Sequence, residues 1–138
     1  MRTLAAIEAR IEALIAAAPA PTTASELLGL SEEVLEHWVH ARGQDPTTEL
    51  REGFRLLGLH RQGAQDLPSF NACRESCREL VYHYNLLSME PEHADTPTRA
   101  RMMGLVAMHL YLFVAGKLQS EQLGEFCCAS RPLRAEAG

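Results

Sequence analysis

The chain has 138 residues, of which 46% are hydrophobic and 22% are charged, and its formal net charge is −5. A chain of this length can bury roughly two thirds of the surface that it exposes when unfolded, so neither a disulfide nor a metal ion is needed for folding. This composition excludes a disordered chain, and the negative charge argues against general affinity for nucleic acid phosphates or anionic lipids. We expect one helical domain over residues 1–138, with residues 129–138 forming a frayed tail.

Residues 3–18 predict an amphipathic first helix, because apolar side chains recur every three or four positions. These are Leu4, Ile7, Ile11, Leu14 and Ala18. Glu8, Arg10 and Glu12 interrupt the apolar run that a secretory signal would need, so we expect a cytoplasmic protein. The apolar stripe also forms two short heptads, which predicts self-association as a homodimer or other homo-oligomer through this or another exposed stripe. The alternative is that the stripe packs onto its own domain.

Two further helices are predicted before residue 64. The second begins at Ser31, a favourable N-cap, and ends near Gly43. The third opens at residues 45–46, an Asp-Pro pair, and runs to about residue 63. Its inward side chains are expected to be Leu50, Phe54 and Leu57. Because each glycine in a helix costs about 1 kcal/mol, we expect close packing at its glycines, Gly53 and Gly58.

The segment "TASELLGLSEEVLEHWV", residues 23–39, resembles a bacterial helix-turn-helix, with Gly29 at the turn and Ser31 capping the second helix. The resemblance implies that the second helix enters the major groove, as in a transcription regulator. The contact positions of that helix carry three carboxylates, Glu32, Glu33 and Glu36. Since carboxylates repel DNA phosphates, we expect no nucleic acid binding.

The last two predicted helices complete the fold. The fourth runs from about Pro68 to about Ser88, and Thr96 opens the fifth. The core stripe of the fourth helix is Phe70, Cys73, Cys77, Leu80, Tyr84 and Leu87. Within the fifth, residues 102–118 are apolar on nearly every face but are at the lower length limit for a membrane span, so we expect no membrane association. The sequence therefore predicts an all-α bundle of about five helices with a long, largely buried C-terminal helix.

The stretch "CRESCRELVYHYN" places Cys73 and Cys77 one helical turn apart on the inward face. A short loop makes the fourth and fifth helices antiparallel neighbours, which puts His109 level with Cys77. Two thiolates and an imidazole are ligands that zinc prefers, so Cys73, Cys77 and His109 are a candidate site for zinc or iron. Cys127 or Cys128 would supply a fourth ligand if a short final helix folded back.

Two other interpretations of the same cysteines stay open. In a dithiol oxidoreductase, Cys73 would attack and Cys77 would resolve, and the helix dipole together with Arg74 would lower the pKa of the thiol in the first turn. Alternatively the cysteines fill the core, because free cysteine is among the residue types most often buried.

The stretch "EEVLEHWVH" places Glu33 beside His37 and Glu36 beside His40, at a spacing of four residues. Carboxylate and imidazole groups at this spacing could hold a metal, but the pattern differs from the Glu-x-x-His pairs of di-iron bundles. We therefore expect a solvated face with compensated charges.

The sequence contains no phosphate-cradling glycine loop, nucleophile elbow or complete zincin motif, so it gives no reason to name a reaction. The leading hypothesis is a cytoplasmic accessory or regulatory protein that acts through protein contacts and carries a metal or thiol sensing site at Cys73 and Cys77. The alternatives are the dithiol oxidoreductase and the helix-turn-helix transcription regulator.

Overall fold

The computed structural model describes residues 1–123, and within them the protein is all-helical, as predicted. The described part of the chain forms five α-helices and one short 3-10 helix. In chain order they are α1 (Leu4–Ala16), α2 (Thr23–Ala41), α3 (Arg55–Ala64), the 3-10 helix (Pro68–Cys73), α4 (Arg74–Met89) and α5 (Thr96–Ser120). The predicted tail, residues 129–138, lies outside the described residues.

The long C-terminal helix α5 packs against α1, α2 and α4, which confirms the predicted architecture. Its inward positions are filled by residues such as Met103, Ala107, Leu110, Val114 and Leu118. Among the described helices, α5 is the one long and apolar enough to cross a membrane, and 44% of its apolar window is buried in the bundle. Because the central helix of a soluble bundle meets the same criteria, the cytoplasmic location stays a prediction.

The apolar stripe of α1 faces the interior of its own domain. Leu4, Ile7 and Ile11 belong to the common core, with exposed fractions of 3%, 0% and 0%. On the outer side, Arg10 forms an ion pair with Glu26 of α2. The prediction that α1 offers an exposed stripe for pairing with a second copy is therefore wrong, and self-association stays a prediction without that surface.

The predicted helix-turn-helix is wrong, because α2 is one continuous helix of 19 residues that passes through Gly29 and Ser31. Ser31 caps no new helix; its hydroxyl donates a hydrogen bond of 2.8 Å to the carbonyl of Leu27, one turn earlier. Leu27, Leu30 and other apolar side chains on both sides of the glycine are buried, so packing sustains the helix across it at a cost of about 1 kcal/mol. The transcription-regulator interpretation thereby loses its structural basis.

Helix α3 begins ten residues later than predicted, at Arg55, because a tight turn precedes it. Glu52 and Gly53 have φ angles of 54° and 85°, in the left-handed region, and α-helix cannot pass through them. Arg51 and Phe54 close the turn through reciprocal backbone hydrogen bonds of 3.0 and 2.9 Å. Residues 44–54 therefore form an irregular strap, on which Leu50 is 62% exposed instead of inward-facing.

The strap accounts for the close packing that was predicted at Gly58. A Cβ atom on Gly58 would lie only 2.2 Å from the carbonyl oxygen of Glu49. Close packing at Gly58 is therefore confirmed, although its neighbour is the backbone of the strap and not another helix. This contact places the strap against α3.

We expect Gly58→Ala to reduce the free energy of unfolding by about 1–3 kcal/mol, because the strap must move away from the new methyl group. Gly29→Ala is the matched control, since it also replaces a mid-helix glycine but its Cβ would meet nothing within 4 Å. That control should raise the free energy of unfolding by up to about 1 kcal/mol. Urea denaturation of both variants measures the difference, and equal effects would contradict the described strap.

Candidate functional site

A buried aromatic group positions the chain just before the two cysteines. The ring of Phe70, on the 3-10 helix, stacks on Trp38 of α2 with a centroid distance of 4.6 Å and an interplanar angle of 9°. On α3, the ring of His60 lies 5.6 Å from that of Phe70 at an angle of 21°. The indole nitrogen of Trp38 donates a 3.0 Å hydrogen bond to the carbonyl of Gly63, which fixes α3 to α2. Phe70 is thus held on one side by α2 and on another by α3.

Both cysteines of the predicted pair are buried free thiols, with exposed fractions of 1% for Cys73 and 0% for Cys77. Cys73 is the N-cap residue of α4, and its backbone angles lie outside the regular helix at φ −98° and ψ 9°. Cys77 lies one turn further along on the same inward face. The predicted core stripe of this region is confirmed, except that Tyr84 is only half-buried.

The carbonyl oxygen of Phe70 joins His60 to Cys73. It accepts a hydrogen bond from His60 Nε2 at 3.3 Å and another from the Cys73 thiol, also at 3.3 Å. The imidazole is itself buried, with an exposed fraction of 6%, and is linked to the Cys73 thiol through this shared carbonyl oxygen. The histidine beside the thiols is therefore His60 and not His109.

Neighbouring groups move the two thiol pKa values in opposite directions. A hydrogen bond from the Cys77 thiol, then a hydrogen bond and the positive charge from His60, lower the pKa of Cys73 to about 6, although burial acts against them. The pKa of Cys77 is raised, because its proton is held in the bond to Cys73 and because the thiol is buried. Cys73 is therefore the member of the pair that ionises first, and its ionisation ends the hydrogen bond that its thiol donates to the carbonyl of Phe70.

The sequence predicted the direction of the Cys73 shift but attributed it to the wrong groups. The predicted causes were the helix dipole and the charge of Arg74, whereas the structure assigns the shift mainly to Cys77 and His60. The signal for His60 was present in the sequence, because His60 follows Leu56 and Leu57 by four and three positions. That spacing places a titratable ring on the apolar face of α3.

His109 does not join the thiols, because its side chain is exposed on α5. The antiparallel arrangement of α4 and α5 fixes how far along each helix a residue lies, but the rotation of α5 turns Ala107 and Leu110 inward instead. Across residues 1–123, no group of three His, Cys, Asp or Glu side chains is arranged to hold a metal ion. The predicted zinc or iron site of Cys73, Cys77 and His109 is thus not formed there, and Cys127 and Cys128 lie outside the described residues.

The polar face of α2 is a charge-compensated surface, as predicted. Glu33 pairs with Arg2, and Glu36 pairs with Arg55. The ring nitrogen Nε2 of His37 donates a 2.7 Å hydrogen bond to the backbone carbonyl of Arg2. These contacts occupy the side chains with the N-terminal segment and α3, which accounts for them without a metal ion.

An open cleft of about 810 Å³ lies beside His60, between the strap, α3 and the start of α4. We call it the arginine cleft, because its lining includes four arginines, Arg51, Arg61, Arg74 and Arg78. Glu49 and Glu52 are the two acidic residues in the lining. No pattern in the sequence indicated this cleft, because the strap that forms one wall was predicted to be helical.

We expect the ultraviolet absorbance of the Cys73 thiolate to titrate with a midpoint near pH 6, as its lowered pKa requires. The measurement uses a chain in which Cys127 and Cys128 are replaced by serine. Cys77→Ala should raise the midpoint most, because it removes the largest cause of the shift, and His60→Gln should raise it less. Cys73→Ala removes the transition and is the control. A midpoint near pH 8.5, the ordinary thiol value, in the parent chain would contradict the described site.

Comparison of the chain with protein-family models, with curated proteins and with solved structures found no match in any of the three. The functional argument for this protein therefore starts from the arrangement of Cys73, Cys77 and His60.

Proposed function

We propose that the protein is a cytoplasmic, thiol-based redox regulator in which Cys73 and Cys77 change between a dithiol and an intramolecular disulfide. The observation that carries this proposal is that two free thiols one helical turn apart are buried together in the core, and that the carbonyl of Phe70 links the first of them to His60. A pair that only filled space would need no buried imidazole beside it. The protein would act through contacts that differ between its two redox states.

The two thiols have the complementary properties that dithiol chemistry requires. A thiolate is the attacking form of cysteine, and Cys73 is the member of the pair with the lowered pKa. Cys77 keeps its proton and lies one turn further along the same inward face, so it is placed to resolve an oxidised Cys73. This assignment agrees with the order of roles in the oxidoreductase alternative, in which Cys73 attacks first.

With a hydroperoxide as oxidant, the reaction has two steps. The Cys73 thiolate attacks the terminal peroxide oxygen and the O–O bond breaks, which gives a sulfenic acid at Cys73 and an alcohol or water. The Cys77 sulfur then attacks the Cys73 sulfur, the S–O bond breaks, and water leaves with the Cys77 proton. The two thiols are oxidised to one disulfide, and the peroxide receives the two electrons.

The position of Cys73 at a helix end helps to accommodate the disulfide. Residues four apart in a helix have Cα atoms about 6 Å apart, within the range that a disulfide spans, but their Cβ atoms are about 5–6 Å apart and must approach to about 4 Å. Cys73 is the N-cap, so an adjustment of its backbone disturbs at most the first hydrogen bond of α4 and leaves the rest of the helix intact. Because Cys73 is 1% exposed, oxidation also requires a local opening of the 3-10 helix.

A regulator must transmit a change at its reactive residue to its surface, and the contacts around Cys73 allow this. The carbonyl of Phe70 holds both His60 and the Cys73 thiol, so movement of Cys73 changes a contact that joins the 3-10 helix to α3. Helix α3 in turn supports the exposed strap through Gly58. We expect the strap to be the surface whose conformation reports the redox state.

The proposal predicts one defined cross-link after brief treatment with hydrogen peroxide. In the chain with serine at Cys127 and Cys128, two thiols should be lost together and recovered with a dithiol reductant. Trypsin cuts after Arg74, so the disulfide should join the peptide of residues 62–74 to that of residues 75–78. Mass spectrometry detects this pair directly.

Single variants distinguish the roles of the two cysteines. Cys77→Ser should stop the reaction at a sulfenic acid on Cys73, which a dimedone reagent traps, whereas Cys73→Ser should give neither product. Oxidation of Cys77 first, or disulfides only between separate chains, would contradict the proposal.

A further inference from the structure

We propose that the arginine cleft binds carboxylate-bearing low-molecular-weight disulfides and presents them to Cys73, so that the protein exchanges electrons with an anionic thiol–disulfide couple. This inference rests on the proposed function, since it names the oxidant of the same dithiol. It adds a binding site and a substrate class that the dithiol chemistry alone does not specify.

The charge of the cleft differs from that of the whole protein. The chain carries a net charge of −5, yet four arginines and two glutamates line this one concave surface. Glu52 is already occupied, because Arg78 donates to it through two hydrogen bonds of 3.0 and 3.1 Å. The cleft is thus a local excess of positive charge on an acidic protein, which favours an anionic ligand.

Three of the lining guanidinium groups are available to a ligand. Within residues 1–123, Arg51, Arg61 and Arg74 form no ion pair with a carboxylate, whereas arginines elsewhere, such as Arg10 and Arg99, do. A guanidinium presents paired N–H donors that match the two oxygens of a carboxylate. Available arginines in a concave site are therefore suited to small carboxylates.

The cleft also lies next to the thiolate. His60 is part of its lining, and its Nε2 atom shares the carbonyl oxygen of Phe70 with the Cys73 thiol. Asn71 and Arg74, which flank Cys73 in the chain, are exposed and line the cleft too. The opening of the 3-10 helix that exposes Cys73 would therefore expose it toward a ligand held by Arg61 and Arg74.

The exchange reaction balances without any other reagent. The Cys73 thiolate attacks one sulfur of the bound disulfide, the S–S bond breaks, and one half leaves as a thiolate that takes up a proton from water. The Cys77 thiol then attacks the Cys73 sulfur of the mixed disulfide, and the second half leaves with the Cys77 proton. The ligand is reduced to two thiols, and the protein gains the Cys73–Cys77 disulfide.

The test compares three small disulfides that differ in charge: dithiodipropionate, which is dianionic, bis(hydroxyethyl) disulfide, which is neutral, and cystamine, which is dicationic. Reactions of the chain with serine at Cys127 and Cys128 are quenched at set times, and the fraction with the Cys73–Cys77 disulfide gives the oxidation rate for each compound. We expect the dianionic compound to react at least about tenfold faster than the neutral one at equal concentration, and the dicationic compound to react slowest. Added salt should reduce this preference.

Arginine variants then separate binding from thiol reactivity. Arg61→Gln and Arg74→Gln should each lower the rate with the dianionic disulfide by about tenfold more than the rate with the neutral one. The neutral probe matters because Arg74 adjoins Cys73 and could alter its reactivity directly. Arg101→Gln, on α5, is the matched control, since it removes an exposed arginine outside the cleft and should change neither rate.

Each outcome has a distinct meaning. Equal rates for the three disulfides, or equal losses for anionic and neutral probes in the arginine variants, would overturn the cleft as a carboxylate site. If hydrogen peroxide still formed the Cys73–Cys77 disulfide, the proposed redox function would survive that result. If no oxidant formed it, the proposed function itself would be overturned.

Discussion

The stacking of Phe70 on Trp38 is the contact on which the rest of the site depends. It anchors the 3-10 helix to α2, and the carbonyl of the same residue then receives hydrogen bonds from His60 and Cys73. A stacked aromatic pair contributes about 0.5–1.5 kcal/mol beyond the area that it buries, and both rings are fully buried here. One residue thus fixes where α4 begins and which histidine meets its first thiol.

The chemistry follows from placing two thiols and an imidazole together in a region of low dielectric. A lone buried thiol keeps its proton, because burial disfavours the charged form. Here Cys77 and His60 reverse that effect at Cys73, while Cys77 itself becomes harder to ionise. The two residues therefore differ in how readily they ionise, although they are chemically identical, and the proposed roles of attacking and resolving thiol depend on this difference.

Helical periodicity made the fold largely predictable. It did not predict where several helices begin or which residues contact each other between helices. The inward face of α4 and the extent of α5 follow from apolar spacing and the Thr-Pro start. Gly29 and Ser31 resemble a turn by local propensity, but the buried leucines on both sides keep the helix continuous.

The prediction for His109 was wrong because sequence spacing gives the position of a residue along the helix axis. The direction in which its side chain points depends on the rotation of the helix, which tertiary packing sets. His60 comes from a distant part of the chain, so its contact with Cys73 needed tertiary structure.

The reduction potential of the Cys73–Cys77 pair tests the central claim most directly. Equilibration with buffers of reduced and oxidised glutathione, followed by peptide mapping, gives its value. Stabilisation of the Cys73 thiolate favours the reduced form, so the account predicts a potential above about −270 mV, among the redox-active dithiols. A value below about −300 mV, typical of structural disulfides, or failure of the two cysteines to pair at any buffer ratio, would contradict it.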